Sequence, residues 1–200
     1  ATSPEVKGGE YIGPDGFLAQ RGYPHLARSS PASRNEEDAR RLWQVSEEGR
    51  LPVLCDTSPC TARMLEQFDR PLQILEPVGF IRRFLLPELE RTGQVDRIAL
   101  HVTCSAKKMG LEDDFLALAK ACAKHVFLPE EDGCCGFAGD RGFTHPELNL
   151  AALRELKPAV SKQCSAGYST SRTCEIGLSL HSGMYYKSIL YLVDECTQSA

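Results

Sequence analysis

Short apolar runs alternate with amphipathic segments along most of this chain. The runs at 51–55, 72–75, 97–102 and 125–128 have the length of strands, and hydrophobic residues between them recur at helical spacing, most clearly over 113–123. Continuous apolar runs are typical of strands that are covered by helices on both faces. The pattern therefore predicts an α/β fold with a mainly parallel sheet and helices on both of its faces.

The ends of the chain follow this pattern less closely. Residues 1–35 are rich in Gly, Pro and Ser and show no sustained period, so we expect an irregular N-terminal segment there. A helix should begin after an N-cap at Asn35, and a last strand is predicted at 159–163. The apolar run 186–193 is too short for its period to decide between strand and helix.

Charge and hydropathy exclude several classes of protein. Acidic residues outnumber basic ones 27 to 23, and the net charge is −4, which argues against a nucleic-acid partner. No apolar run approaches the roughly 20 residues that span a bilayer, so no transmembrane segment is expected. The first residues are polar and lack the apolar region of a signal peptide, which favours a cytoplasmic location.

Nine cysteines are the unusual feature of the composition. An odd number without a secretory signal argues against a disulfide framework. Cys122 and Cys196 fall in helical patterns and are interpreted as buried free thiols.

Several of the other cysteines follow predicted strands. Cys104 and Cys164 each lie just beyond one, and the pair Cys134-Cys135 follows the run that ends near Leu128. Cys174 is expected in a Ser/Thr-rich loop after the last strand. Because ligands of open α/β sheets gather at the carboxyl ends of strands, Cys104, Cys134, Cys135 and Cys174 should converge, with Cys60 or Cys164 nearby.

Thiolates that converge in this way select zinc, copper(I) or an iron–sulfur cluster. Two adjacent cysteines fit one small tetrahedral ion poorly, whereas a cluster with several irons can accept both. Gly133 and Gly136 bracket the pair and let the backbone turn closely around a bulky group. A vicinal disulfide or two inert thiols is the alternative, and His101 and His125, which lie in predicted strands, are interpreted as structural.

The order Cys104, then Cys134-Cys135-Gly136, then Cys174 resembles the cysteine-rich CCG domain. Such domains occur in heterodisulfide reductases, in the iron–sulfur subunit of glycolate oxidase and at the C-terminus of FAD-linked D-2-hydroxyacid dehydrogenases. The segment 167–179 (GYSTSRTCEIGLS) is most similar to the FAD-linked D-lactate and D-2-hydroxyglutarate dehydrogenases. The resemblance is specific over 97–196 and weaker over 11–89.

The family carries two copies of the pattern Cys…Cys-Cys-Gly…Cys-x-x-Cys, and this chain departs from it in both. Ser171 stands where the second copy has the first cysteine of its Cys-x-x-Cys, and Cys164 is close enough in sequence to replace it. In the first copy Cys60 matches the closing cysteine, but residues 13–16 stand where a Cys-Cys-Gly would be. The resemblance thus divides the chain into the irregular segment 1–35, a remnant of the first repeat at 36–95 and the second repeat at 96–200.

The resemblance implies an iron–sulfur, electron-transfer part of a larger FAD-linked D-2-hydroxyacid dehydrogenase. The flavin domain of that enzyme would be the first partner and an electron acceptor the second, which allows peripheral attachment to the inner membrane. No FAD-binding motif is visible here, so the isolated chain is expected to be inactive. The alternatives are a zinc-binding or metal-free docking module of the same enzyme, and a thiol–disulfide redox protein that uses Cys134 and Cys135.

Overall fold

The structure is a computed structural model that describes residues 31–129, 133–139, 141–160 and 164–197, with side chains from Glu36 onwards. The predicted irregular segment lies outside the described residues up to residue 30. Strands and helices alternate through the described part in the following order: α1 Pro31–Val45, β1 Val53–Leu54, α2 Ser58–Gln67, β2 Ile74–Leu75, α3 Pro77–Phe80 continued by a π-helical turn Ile81–Leu85, β3 Val95–Leu100, α4 Cys104–Lys108, α5 Glu112–Cys122, β4 Ala123–Phe127, α6 Arg141–Thr144, α7 Pro146–Ala152, α8 Leu156–Val160, β5 Ala166–Ser169, α9 Arg172–Ser182, β6 Tyr186–Ser188 and α10 Ile189–Thr197.

Two parallel sheets confirm the predicted fold class. The larger sheet has four strands in the order β4-β3-β5-β6, and the smaller one pairs β1 with β2. Strand β3 is central, and its Ile98 lies between Val126 of β4 and Ala166 of β5. All four strands of the larger sheet are parallel, so their carboxyl ends meet at one edge.

Hydrophobic cores fill both faces of the larger sheet. Ile98 and Leu100 point into a core formed with α5 and α10, whereas Ala99 points into a second core formed with α8 and α9. Side chains of a strand alternate between faces, and here both sets are fully buried. Helices therefore cover both faces, as the apolar run at 98–102, broken only by His101, predicts.

A buried polar network joins the smaller sheet to the larger one. The Ser58 hydroxyl donates to Oε1 of Glu76 at 2.9 Å and lies 2.6 Å from the Thr170 hydroxyl, which belongs to the β5–α9 connection. The other oxygen of Glu76 accepts from the backbone N–H of Val78 at 2.7 Å and caps α3. This network fixes the start of α2 against the carboxyl edge of the larger sheet.

Several predicted boundaries are wrong. The strand predicted at 159–163 is the end of helix α8 as far as Val160, and residues 161–163 lie outside the described part; the strand is β5, at Ala166–Ser169. Leu156 and Val160 are both buried and lie one helical turn apart, and such a short apolar run does not distinguish helix from strand. The first helix begins at Pro31 rather than after Asn35, because proline suits the first turn of a helix.

Among the described residues, no helix has both the length and the apolar character that crossing a membrane requires.

Candidate functional site

Four cysteines lie at the carboxyl edge of the larger sheet. Cys104 opens α4 just after β3, Cys134 and Cys135 are in the loop that follows β4, and Cys174 follows β5. Cys174 is in the first turn of helix α9, so its predicted position in a loop is wrong. We call Cys104, Cys134, Cys135 and Cys174 the four-thiol site.

The four thiols form an inner and an outer pair. In the inner pair, Sγ of Cys135 lies 2.9 Å from Sγ of Cys174, and both side chains are buried. In the outer pair, the thiols of Cys104 and Cys134 are hydrogen-bonded to each other, and both residues are exposed. The site thus has a buried half and a half that solvent reaches.

The two thiols of the inner pair have pKa values shifted in opposite directions. The hydrogen bond from Cys174 lowers the pKa of Cys135 to about 6 against the opposing effect of burial. The backbone N–H of Phe137, the nearby imidazole of His101 and a hydrogen bond from Cys134 add to this lowering. The pKa of Cys174 is raised, because its proton is held in the bond to Cys135 and because it is buried. In the outer pair, partial desolvation raises the pKa of Cys134, although the residue remains exposed. Cys135 is therefore the thiol that ionises first among these three.

Two tight backbone approaches hold the Cys-Cys-Gly loop. Gly136 has a left-handed φ of +73°, and a Cβ there would lie 2.6 Å from the carbonyl oxygen of Leu148. The side-chain amide of Asn149 donates to the carbonyl oxygen of Cys135. A Cβ at Gly177 would collide with that same amide. Helices α7 and α9 thereby clamp the loop that carries the two adjacent cysteines.

The donor set fits a thiolate-bound group, but the sulfurs are closer than such a group would leave them. Two sulfurs on one tetrahedral zinc, each at 2.3 Å, would be about 3.8 Å apart, whereas a disulfide would bring them to about 2.05 Å. The inner pair, at 2.9 Å, lies between these values. No three His, Cys, Asp or Glu side chains in the described part are arranged as a ready metal site. Binding one zinc ion to this pair therefore requires the inner sulfurs to separate by about 1 Å.

Cys60 and Cys164 differ in their relation to the four-thiol site. Cys60 is in the first turn of α2, which packs against α4 and begins at the polar network to Thr170. Cys164 precedes β5 and is next to Ser165, whose N–H donates to the carbonyl of Arg97. It therefore lies before the amino end of β5, roughly 17 Å of extended chain from the carboxyl edge. The prediction that Cys164 follows a strand is wrong, since that strand begins two residues later.

Cys122 and Cys196 are buried in the core between α5 and α10, as their helical patterns predict. Their side chains are hydrogen-bonded to each other, and burial raises the pKa of Cys122 to about 12.

His101 is a site residue that the sequence did not reveal. It follows β3, is buried at 4% exposure and acts on Cys135 through its charge. A histidine at the end of an apolar run is more often structural. Its backbone carbonyl does have a structural contact, because it accepts a hydrogen bond from the Ser169 hydroxyl at 3.0 Å. The Cys-Cys-Gly loop, more than thirty residues further along the chain, is what places Cys135 within electrostatic reach of this imidazole.

Comparison with family models, with curated proteins and with solved structures finds no match to this chain. The function is therefore argued from the four-thiol site.

Proposed function

We propose that the four-thiol site binds an iron–sulfur cluster, and that the chain is the electron-transfer part of a FAD-linked D-2-hydroxyacid dehydrogenase acting on D-lactate or D-2-hydroxyglutarate. The observation that carries the proposal is the convergence of four thiols from three connections of the sheet. They span seventy residues of sequence and meet at the edge where α/β proteins bind their ligands. The family resemblance supplies the reaction class.

The adjacent cysteines favour a cluster over a single zinc ion. The thiol of Cys135 is hydrogen-bonded to buried Cys174, whereas the thiol of Cys134 is hydrogen-bonded to exposed Cys104. The thiols of Cys134 and Cys135 are also hydrogen-bonded to each other, so the four thiols form one chain from Cys104 to Cys174. Such a chain suits a group with several metal atoms better than one tetrahedral ion. When bound, an iron–sulfur cluster accepts and releases single electrons, which a two-electron flavin oxidation needs if its acceptor takes electrons one at a time.

The chain's own residues would hold and shield such a group. Gly136 and Asn149 fix the Cys-Cys-Gly loop, and the cores around Phe137 and Leu178 close the inner half of the site to water. The exposed thiols of Cys104 and Cys134 leave the outer half accessible. Electrons would therefore enter or leave on the side of the outer pair.

A thiol–disulfide protein is the second candidate, and one observation favours it. The sulfurs of Cys135 and Cys174 are 2.9 Å apart, closer than metal ligands and less than 1 Å from covalent bonding distance. In this candidate the reactive pair would be Cys135 and Cys174 rather than the adjacent cysteines. A zinc-binding or metal-free docking module of the same enzyme would use the same four residues structurally.

Anaerobic reconstitution of the chain with iron and sulfide tests these candidates. We expect visible absorption, with bound iron and sulfide, in the wild type and in the control Cys122→Ser, and a loss of at least half of the bound iron in Cys134→Ser and Cys174→Ser. Retention of zinc instead of iron would favour the docking module. A metal-free protein with a Cys135–Cys174 disulfide, found by peptide mass spectrometry, would favour the redox protein.

The proposed partners are the flavin domain of the same enzyme and an electron acceptor, in the cytoplasm or at the inner face of the membrane. In the full-length enzyme, Cys134→Ser with Cys135→Ser should leave flavin reduction by substrate unchanged and slow electron delivery to the acceptor. Stopped-flow absorbance of the flavin separates the two half-reactions. Wild-type rates in both would show that the pair is structural.

A further inference from the structure

Ser171 adjoins the four-thiol site at the start of helix α9. It is the residue just before that helix, and its φ of −140° and ψ of 121° are the extended backbone angles that an N-cap residue adopts. A serine at such a position normally accepts a hydrogen bond from a backbone N–H in the first turn of its helix. In the described part of the chain, the Ser171 side chain makes no capping bond of this kind to α9. Its hydroxyl therefore does not serve the helix that it precedes.

The Ser171 hydroxyl contacts the inner pair of thiols instead. The residue is only 3% exposed, and its side chain is hydrogen-bonded to the thiol of Cys174. The Thr173 hydroxyl lies 3.4 Å from the same oxygen. A serine hydroxyl has one hydrogen to donate, whereas a thiolate can only accept. Because a cysteine that binds a metal is ionised, Ser171 is the donor whenever Cys174 acts as a ligand.

The two adjacent cysteines receive hydrogen bonds from the backbone. The N–H of Gly136 donates to Sγ of Cys134 at 3.4 Å. The N–H of Phe137 is hydrogen-bonded to the thiol of Cys135. Backbone donors are present whatever side chains the loop carries, whereas the donor of Ser171 depends on the identity of one residue. Ser171 is thus the position at which a single substitution changes the hydrogen bonding of a ligand sulfur.

We infer that Ser171 raises the reduction potential of the proposed cluster by donating a hydrogen bond to Sγ of Cys174, an inference that rests on the proposed function. Reduction adds one electron, and so one negative charge, to the cluster and its thiolates. A hydrogen-bond donor on a ligand sulfur stabilises that added charge, and such bonds are among the factors that set the potentials of iron–sulfur clusters. Because Ser171 is buried, water weakens this bond little. The serine that stands at a cysteine position of the family pattern thus acts on a ligand rather than as one.

A redox titration of the full chain, reconstituted with iron and sulfide and followed by electron paramagnetic resonance, tests the inference. In Ser171→Ala the ratio of reduced to oxidised cluster at a fixed solution potential should fall about tenfold, which corresponds to a midpoint potential about 59 mV lower. Ser171→Gly also lacks the hydroxyl, is tolerated at an N-cap and should give the same shift. Ser171→Thr keeps a hydroxyl and should stay near the wild-type potential.

Ser169→Ala is the matched control. It removes another fully buried hydroxyl at the same edge of the sheet, one that donates to the carbonyl oxygen of His101 at 3.0 Å rather than to a thiol. Its potential should equal that of the wild type. Circular dichroism of each variant checks that it is folded.

Iron and sulfide content, measured on the same samples, separates failure of this inference from failure of the proposed function. If the wild type takes up neither iron nor sulfide, the proposed function fails and the inference fails with it. If Ser171→Ala and Ser171→Gly carry the wild-type content at the wild-type potential, only the inference is overturned. A loss of iron in these two variants, or an equal shift in Ser169→Ala or Ser171→Thr, would overturn it as well, because the hydroxyl would then be a ligand or a structural contact.

Discussion

Cys134 and Cys135 share a peptide bond and a hydrogen bond between their thiols, yet each thiol has a different second partner and a different exposure. The reason is the left-handed Gly136, which turns the chain against α7 immediately after the pair. Cys135 thereby enters the core beside Cys174, while Cys134 stays at the surface beside Cys104.

This separation predicts a measurable difference in acidity in the metal-free protein. The hydrogen bond from Cys174 lowers the pKa of Cys135 to about 6, so ultraviolet absorbance of thiolate should show one ionisation near that pH. The step should disappear in Cys135→Ser. It should move upward in Cys174→Ala, which removes the donor of that hydrogen bond, and persist in Cys122→Ser. A wild-type titration with no ionisation below about pH 8 would contradict the assignment.

Gly136 and Gly139 offer a matched test of backbone crowding. Both have left-handed φ angles, +73° and +77°, but a Cβ at Gly136 would lie 2.6 Å from a carbonyl oxygen and one at Gly139 would have no neighbour within 4 Å. Alanine at position 139 should cost about 1 kcal/mol in free energy of unfolding, from the φ angle alone. Alanine at position 136 should cost at least about 2 kcal/mol more, because backbone must also move.

Urea denaturation of the two alanine variants measures this difference. Equal destabilisation would show that φ alone, and not contact with α7, makes Gly136 necessary.

At the scale of elements, the carboxyl edge is assembled from connections rather than from the strands themselves. Helices α4 and α9 start directly after β3 and β5, and each carries one cysteine in its first turn. The network of Glu76, Ser58 and Thr170 adds the start of α2 to the same edge. Residues far apart in sequence are thus held in register by a few buried polar contacts.

Glu76 makes the stability of this network depend on pH. Burial raises its pKa above the usual 4.5, against the hydrogen bonds from Val78 and Ser58. A raised pKa contributes stability that is fully present below the unfolded pKa and lost as pH rises through the folded one. The wild type should therefore lose stability relative to Glu76→Gln between about pH 4.5 and pH 7.

Urea denaturation of wild type and Glu76→Gln at both pH values measures this change, and the difference between the proteins isolates Glu76 from the buried Glu175. Glu76→Ala, which removes the cap of α3, should be destabilised by about 1 kcal/mol or more at both pH values. If the difference in free energy of unfolding between the wild type and Glu76→Gln does not vary with pH, Glu76 does not ionise in the folded state.

On the scale of the whole molecule, the two sheets differ in size and in how deeply their strands are buried. Strand β3 is hydrogen-bonded to β4 on one side and to β5 on the other, and its residues 98–100 have no exposed surface. Strands β1 and β2 have two residues each, and Leu54 is half exposed. Backbone amides of β3 should therefore open only on global unfolding, whereas those of β1 and β2 should open locally.

Hydrogen exchange followed by mass spectrometry measures this order. We expect peptides over β3 to be the last to exchange and peptides over β1 and β2 to exchange at least tenfold faster. Equal protection in both sheets would show that the polar network makes them one cooperative unit.

The sequence by itself determined the class of fold and the edge at which the thiols meet. Apolar runs of strand length, separated by helical periods, leave few alternatives to a parallel sheet between helices. Cys104 and the pair Cys134-Cys135 follow two such runs, which places them at the carboxyl edge by geometry alone. The helical patterns around Cys122 and Cys196 likewise identify two buried thiols.

Only the tertiary structure decided which thiols pair and which lie apart. The strand β5 contains Gly167 and Ser169, and the apolar pair Ala159-Val160 shortly before it was interpreted as the start of the strand, so the sequence misplaced Cys164 and put Cys174 in a loop. The role of His101 depends on a loop more than thirty residues further along the chain. Local periodicity reports burial, whereas the partners of a buried thiol depend on contacts between distant segments, which no local pattern encodes.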